Sequence, residues 1–486
     1  MKQSYLVATL LALAFISTPS WALDLMQAYD LALANDPTFR SATKEYEAGQ
    51  ASLTIGRSGL LPQLSANYYG ATNKSTITQP PYTGAANFTS NQNYQSNNGG
   101  FQISQALFNL QALAAYWQGT AQANAAQSKF LFNSQDLLIR VLQGYTDLLN
   151  GRDQLMFYTA QRDAYKEQLK VNEARYKAGD GTITDALETR TSYEMAEAQV
   201  IDTRDVVENN KRKLEGIIGV TLPSASEIKT LIPNFKVTPL LPKEFNQWQE
   251  TALNSNAEII TAKHSQEVAY QEYRKNFANA LPTVSAVASW NQQNSAYVAS
   301  INQNAITTSV GIQANWSIFS GGQTLGQATQ ALANYQKAQA DTEVVSTRVI
   351  TELRKQYDIV MSSSQKIMAL GRAVEAATEL TKAMRKSILG GERINMDALL
   401  ADKGLATARR DLALAKYSYT LALLRLKQQA GTLTIDDLEG TASNFQRDGS
   451  YIVMRPAPKV TEDPIASPNV TVKSNSGILL PELSNR

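Results

Sequence analysis

Val310-Gly311-Ile312-Gln313-Ala314-Asn315-Trp316-Ser317-Ile318 alternates apolar with small or polar residues at every step. A period of two places Val310, Ile312, Ala314, Trp316 and Ile318 on one face of an extended strand and Gln313, Asn315 and Ser317 on the other, so that one face meets oil and the other water. The expected strand runs over about 306–318. Its partner, about 283–294, contains Val284-Ser285-Ala286-Val287-Ala288-Ser289-Trp290, and two earlier stretches, about 64–73 and 97–108, are its counterparts in the first half of the chain. Asn/Gln/Ser/Thr-rich segments, Ser75 to Gly100 and Asn291 to Thr307, read as long solvent-exposed loops between the paired strands. Four strands cannot close a barrel around a lumen, so a membrane role would require several copies. The hairpins alone fit a half-buried position in a soluble sandwich equally well.

The remaining chain is helical. No proline occurs from Tyr82 to Leu222 or from Thr283 to Arg455. Helical pattern unbroken over about 60 residues makes a rod of roughly 90 Å, which no globular core requires. Leu405, Ala408, Leu412, Ala415, Tyr419, Ala422 and Leu426 step alternately by three and four, and Tyr193, Ala196, Val200, Thr203, Val207, Asn210 and Leu214 keep the same phase. Much of this seam is Ala, Thr or Asn. Small residues let a helix lie close to two neighbours at once, as staves do, although heptads more commonly mean an ordinary coiled coil.

These elements occur twice. Ala32-Leu33-Ala34-Asn35-Asp36-Pro37 is echoed by Ala252-Leu253-Asn254-Ser255-Asn256-Ala257, and Leu61-Pro62-Gln63-Leu64-Ser65-Ala66 by Leu281-Pro282-Thr283-Val284-Ser285-Ala286. Ser104-Gln105-Ala106-Leu107-Phe108 matches Asn315-Trp316-Ser317-Ile318-Phe319, and Ile183-Thr184-Asp185-Ala186-Leu187 matches Asn395-Met396-Asp397-Ala398-Leu399. Four matches in one order make a duplication. The expected organisation is a leader at 1–22, a first repeat at 23–222, a Pro-punctuated connector at 223–243, a second repeat at 244–442 and a disordered tail at 443–486. Each repeat reads helix, strand, strand, helix, helix.

Lys2, the apolar run Tyr5 to Ile16 and the small-x-small site Ser20-Trp21-Ala22 form an export leader too short to span a bilayer. No later stretch approaches 18 apolar residues, so a membrane-inserted form must use strands. The chain has no cysteine and one histidine, His264, in a polar helical stretch that reads as solvated. Zinc clusters and Cys–His or Ser–His chemistry are therefore not expected, nor any cofactor or metal, and the net charge of +2 gives no footprint for nucleic acid.

The leader, the duplicated unit, Pro62 and Pro282 opening the hairpins, and the Phe319-Ser320-Gly321-Gly322 exit together resemble the TolC-type outer-membrane efflux and type I secretion family, from about Leu25 to Leu438. The resemblance implies a mainly α fold with membrane β: a homotrimer pooling four strands per chain into a 12-stranded outer-membrane barrel above a long periplasmic α-helical barrel. It implies a channel rather than an enzyme, working with a periplasmic adaptor (membrane fusion) protein and an inner-membrane ABC or proton-driven transporter. The Val310/Ile312/Ala314/Trp316/Ile318 face would then meet outer-membrane lipid, with Tyr68, Trp290 and Trp316 in the interfacial belt.

Two helix–helix turns resemble the family's periplasmic tips: Arg175 to Asp185, and Gly391 to Leu399. In each, a glycine (Gly179, Gly391) precedes an aspartate (Asp185, Asp397) by six residues, and the glycines would end a helix at positive φ and offer bare backbone for adaptor docking. Thr184, Asp185 and Arg393 match polar links that hold the entrance shut, and Asp397 matches a pore-facing acidic constriction. Two positions depart from the family: Ile388 stands where a gating tyrosine is usual, and Leu400 where a second acidic ring is usual. A structural coiled-coil protein of the cell envelope is the alternative reading; a hydrolase is disfavoured because no carboxylate pair sits in a pocket-like context.

Overall fold

The computed structural model describes residues 23–79, 88–222, 228–232, 235–296, 302–389 and 395–445. The expected leader, Gly391, Arg393 and the tail beyond Phe445 lie outside the described residues. The elements are α1 (Leu25–Asn35), α2 (Pro37–Ser58), β1 (Gln63–Gln79), β2 (Phe88–Phe108), α3 (Leu110–Ala178) and α4 (Ile183–Ile218), then α5 (Phe245–Ser255), α6 (Ala257–Ala278), β3 (Thr283–Ala296), β4 (Asn302–Asn315), α7 (Gln323–Leu389), α8 (Asn395–Ala430) and α9 (Ile435–Ala442). A 3-10 turn, Ser443–Phe445, follows α9 and carries order past the expected tail boundary, because Phe445 is fully buried edge-on against Tyr145.

Each repeat has one more helix than its sequence pattern suggested. Asp36 and Asn256 stand at matching positions of the duplication and break the leading helix in two. Asp36 Oδ1 accepts from the amides of Thr38 and Phe39 at 2.6 and 3.3 Å, and Asn256 Oδ1 from those of Glu258 and Ile259 at 2.9 and 3.0 Å. Both residues are N-caps with extended backbone, and Pro37 occupies the first turn of α2, where its missing N–H costs nothing.

The helices α3 and α7 are single rods of 69 and 67 residues, each about 100 Å long at 1.5 Å per residue. Shorter helices flank them. Along α2 and α3 the contact is made by small residues at spacings of seven: Gly49 lies against Ala126, Gly56 against Gly119 and, just past α2, Gly59 against Ala112. A Cβ on Gly119 would lie 2.3 Å from the Ser52 carbonyl oxygen, and one on Gly56 2.7 Å from that of Ala115, so these helices touch backbone to backbone.

The seam of α8 is double. Ala415, Tyr419, Ala422 and Leu426 pack with Leu353, Val360 and Ile367 of α7. Tyr417 and Leu424, interleaved with them, belong to the cluster of Leu137 to Leu149 on α3, which also gathers Leu25 and Tyr29 of α1 and Val207, Leu214 and Ile218 of α4. A helix with two adjoining buried stripes has a neighbour on each side, which is the stave arrangement expected from its small residues.

The strands form one antiparallel sheet in the order β1-β2-β3-β4. β4 ends at Asn315, opposite Thr283, so Trp316 and Ile318 lie beyond it rather than in it. The next partner would be Pro282, which has no N–H to continue the ladder. The two polar segments expected as loops are largely strand. Thr76 Oγ1 donates to Asn91 Oδ1 at 2.6 Å and Asn73 Nδ2 to Ser96 Oγ at 2.8 Å, while Thr78 and Thr89 hydroxyls lie 3.3 Å apart, so polar side chains pair across the extended hairpin where apolar ones would otherwise be needed.

Candidate functional site: the open sheet and the helical tips

Register sorts the sheet into two faces, because residues directly opposite in an antiparallel pair project to the same side. Val310 pairs with Ala288, Ile312 with Ala286 and Ala314 with Val284; Ala288 pairs in turn with Ile103, Trp290 with Phe101, and those two with Leu64 and Ala66. From the helix end of the sheet up to the rung of Trp290 this side is thus mainly apolar across all four strands, interrupted by Gln105 opposite Ala286 and Thr308 opposite Trp290. A bulge between Ala106 and Phe108 turns Phe108 onto it, opposite Val284. The other side carries Asn67, Gln102, Ser104, Ser285, Ser289, Ser309 and Gln313.

The apolar side is uncovered: Val310 is 83% exposed and Ile312 74%. Ala314 shares this face within β4. Trp316 and Ile318, past the strand end, are exposed too, and the Trp316 indole N–H donates to the Ala280 carbonyl at 3.1 Å, tying the hairpin to the end of α6. Eight residues separate Trp316 from the rung of Trp290 and Thr308, roughly 27 Å along a strand or about 20 Å of height at a tilt near 40°. Tyr68 and Phe101 lie at the level of Trp290, with 6.1 Å between the Phe101 and Trp290 ring centres. Neither β1 nor β4 has a partner on its outer edge among the described residues, so two long rows of backbone groups await pairing.

The first tip joins α3 to α4. Gly179 ends α3 at φ 82°, its N–H donating to Tyr176 and Arg175 carbonyls, and the Asp180 N–H returns to the Arg175 carbonyl at 2.9 Å. Thr182 caps α4, accepting from the Asp185 amide at 3.1 Å; Thr184 and Asp185 are exposed on the first turn. Behind the tip, a ladder missed in the sequence joins the two helices. The Gln168 amide donates to Asn172 Oδ1 at 3.0 Å, the Asn172 amide to Thr189 Oγ1 at 2.9 Å, and the Thr189 hydroxyl to the Asp185 carbonyl at 2.8 Å. The i, i+4 spacing of Gln168 and Asn172 was the available signal. The exposed pair Arg190–Glu173, at 2.7 Å, adds under about 1 kcal/mol.

At the second tip, Asp397 lies in the first turn of α8, and Leu400, 57% exposed, follows it on the same helix. Gly391 and Arg393 fall outside the described residues, as does the side chain of Ile388, so the Asp185–Arg393 link is not part of the described geometry.

Between sheet and tips, the connector is strapped to the helices by aromatic donors. Tyr419 Oη donates to the Thr238 carbonyl at 2.7 Å, Tyr357 Oη to that of Lys243 at 2.6 Å, and Trp248 Nε1 to that of Pro242 at 2.8 Å. Tyr145 Oη lies 3.0 Å from the carbonyls of both Leu23 and Lys229. Buried Tyr and Trp in a helix need such partners, and that was the sequence signal for a bound connector. Tyr417 donates to Asp153 Oδ2 at 2.8 Å. Burial raises the Asp153 pKa, against the opposing pull of that hydrogen bond and of Arg152. His264 is half-buried on α6, more enclosed than its polar surroundings suggested, and burial lowers its pKa. Among the described residues no group of His, Asp and Glu could hold a metal, and no helix is long and apolar enough to cross a membrane.

A family model described as "Outer membrane efflux protein" matches residues 28–220 and 248–432. The alkaline protease secretion protein AprF of Pseudomonas aeruginosa is 37% identical over 433 residues, 89% of each chain. The proteases secretion protein PrtF of Dickeya chrysanthemi is 35% identical, over 87% of this chain and 92% of its own. Among solved structures, the CmeC outer membrane channel of Campylobacter jejuni shares the fold, with a TM-score of 0.71 over 87% of this chain and 90% of that one at 16% identity. An unclosed four-stranded sheet on paired long helices is thus the subunit of a known outer-membrane channel architecture, and the chain is a member of the outer membrane efflux protein family.

Proposed function

We propose that three copies of this chain form the outer-membrane exit duct of a protein secretion system. The carrying observation is the four-stranded sheet whose outer edges have no partner among the described residues and whose one face carries an uncovered, mainly apolar band from Val284 and Ala314 up to Trp290. Three such sheets paired edge to edge leave no edge, present a continuous apolar band to lipid and turn their Asn, Gln and Ser side inward around water. The names of AprF and PrtF, both of protease secretion, support protein cargo; drug efflux is the alternative use of the same duct. The partners that go with this reading are an ABC-type or proton-driven inner-membrane transporter and a periplasmic adaptor. The chain acts as a passive conduit. The duct opens at its tips, where Thr184 and Asp185 of one hairpin and Arg393 of the other form breakable polar links, Asp397 rings the entrance, and the turns at Gly179 and Gly391 receive the adaptor. A solvent-accessible Asp–Arg link is worth about 1 kcal/mol or less, yet three related copies release together when a partner binds the open form.

Reconstitution in a planar bilayer tests this reading. The purified protein should give a cation-selective channel whose conductance rises several-fold in Asp185→Ala or Arg393→Ala. No channel from folded protein would end the duct assignment; unchanged conductance in both variants would remove the lock alone.

A further inference from the structure

Asp24 carries a charge that its surroundings do not satisfy. It caps α1: Oδ1 accepts from the Leu25 amide at 2.7 Å, and Gln27 Oε1 accepts in return from the Asp24 amide at 3.2 Å, closing a capping box. The residue is 1% exposed. Its second oxygen, Oδ2, is buried with no hydrogen-bond donor among the described residues. Lys229 Nζ lies 3.8 Å away, near enough to attract but too far to donate. A buried carboxylate oxygen without a donor costs free energy, and this one sits where α1, the connector and α3 share a core.

The backbone beside it is held in place. Leu23 forms a parallel bridge with Ile228 and is 9% exposed. Its carbonyl accepts from the Lys229 amide at 3.3 Å and lies 3.0 Å from Tyr145 Oη. The leader read from the sequence is cut directly before this residue, after Ser20-Trp21-Ala22. Hydrolysis there adds one water across the Ala22–Leu23 peptide bond, releasing Ala22 as a carboxylate and leaving Leu23 with an α-ammonium. An uncharged amide with one hydrogen becomes a cation with three. Consecutive Cα atoms are about 3.8 Å apart, so charges on residues 23 and 24 fall within roughly 6 Å, where opposite charges favour each other's ionised forms. Because pairing with Ile228 already fixes Leu23, little ordering entropy opposes the contact, unlike that of a loose terminus.

We infer that leader removal completes this junction: the new Leu23 ammonium supplies Asp24 Oδ2 with the donor and counter-charge it lacks, so the fold reaches full stability only in the processed chain. The inference rests on the cut after Ala22 and not on whether the protein conducts. Protein purified from outer membranes into detergent tests it, with the N-terminus of each form read by mass spectrometry. Two glutamines inserted between Ala22 and Leu23 move the ammonium about 7 Å along the chain and leave Asp24 in place. The inserted form should unfold about tenfold faster than wild type at one fixed temperature, followed by circular dichroism, the scale of one hydrogen bond to a charged group. In an Asp24→Asn background the same insertion should change the rate less than about twofold. If Asp24→Asn does not fold, acylation of the α-amine in the native protein, read on the N-terminal peptide, decides instead. The wild-type amine should then react about tenfold more slowly than that of the inserted form. An insertion that alters neither unfolding nor acylation overturns the inference, as does an equal acceleration in both backgrounds. A mature chain that begins elsewhere than Leu23 fails the cut itself, and the inference falls with it.

Discussion

Asp36 shows how much one side chain decides. Its side chain is 2% exposed and carries two duties: it caps α2, and it accepts from Arg140 Nη1 of α3 at 2.6 Å. Burial alone would raise its pKa, but the Arg140 hydrogen bond and charge, with the two backbone amides, outweigh burial and hold the carboxyl below 3.8. A lowered acid pKa means that the folded form binds the proton less readily than the unfolded one. The stability Asp36 confers is therefore complete above about pH 4 and is lost as the pH falls through its folded value. Asp36→Ala should cost about 2 kcal/mol, cap and ion pair together, whereas Asn256→Ala, which removes an uncharged cap, should cost about 1 kcal/mol. Thermal unfolding followed by circular dichroism from pH 7 to 3 checks both, and the acid-dependent part should vanish in Asp36→Asn. The break at Asp36 was legible in principle, since Asp followed by Pro is an N-cap before a first-turn proline. A helical period that continues across the junction concealed it.

At the scale of elements, the rods were plain from the absence of proline and the doubled seam of α8 from its small residues. Strand length was not. Thr76, Asn91, Thr78 and Thr89 carry no apolar alternation, and a polar strand held by side-chain pairs across it has the composition of a loop. The spacing of Gly49 and Gly56 on α2 and of Ala112, Gly119 and Ala126 on α3 carries the same close approach as a heptad of small residues, a weak signal in chains rich in alanine. That close approach invites a direct test. Gly119→Val forces a side chain into the Ser52 carbonyl and must push α2 from α3. A cost above about 3 kcal/mol is expected, because overpacking here strikes rigid backbone. The amount of heat-modifiable oligomer in isolated outer membranes should fall sharply, while Gly216→Val, where a Cβ meets nothing within 4 Å, should leave it near wild type.

For the whole molecule, the sheet alone could not announce closure, since alternation over four strands serves a soluble sandwich as well; the duplication and the rods decided between them. The tips were legible as turns, and Gly179 ends its helix at positive φ as expected. The ladder of Gln168, Asn172 and Thr189 was not, because polar residues on a helix read first as solvent-facing. The two faces of the sheet predict opposite tolerance of charge. Ile312→Lys puts an ammonium on the apolar side near the middle of the band and should cost about 2–4 kcal/mol per strand in a bilayer, whereas Gln313→Lys, one residue on, points to the polar side and should assemble normally. Folding into lipid vesicles, read by resistance to protease, separates the two.

Lys74 being the sole charge of the four strands has a further bearing on transport. A conduit wall built of amides and hydroxyls exerts almost no fixed electric field along the membrane crossing, so a passing solute of either sign meets the same potential there. Discrimination among cargoes by charge must then take place in the helical stem, tens of ångströms before the membrane, and the crossing itself acts as an indifferent spout.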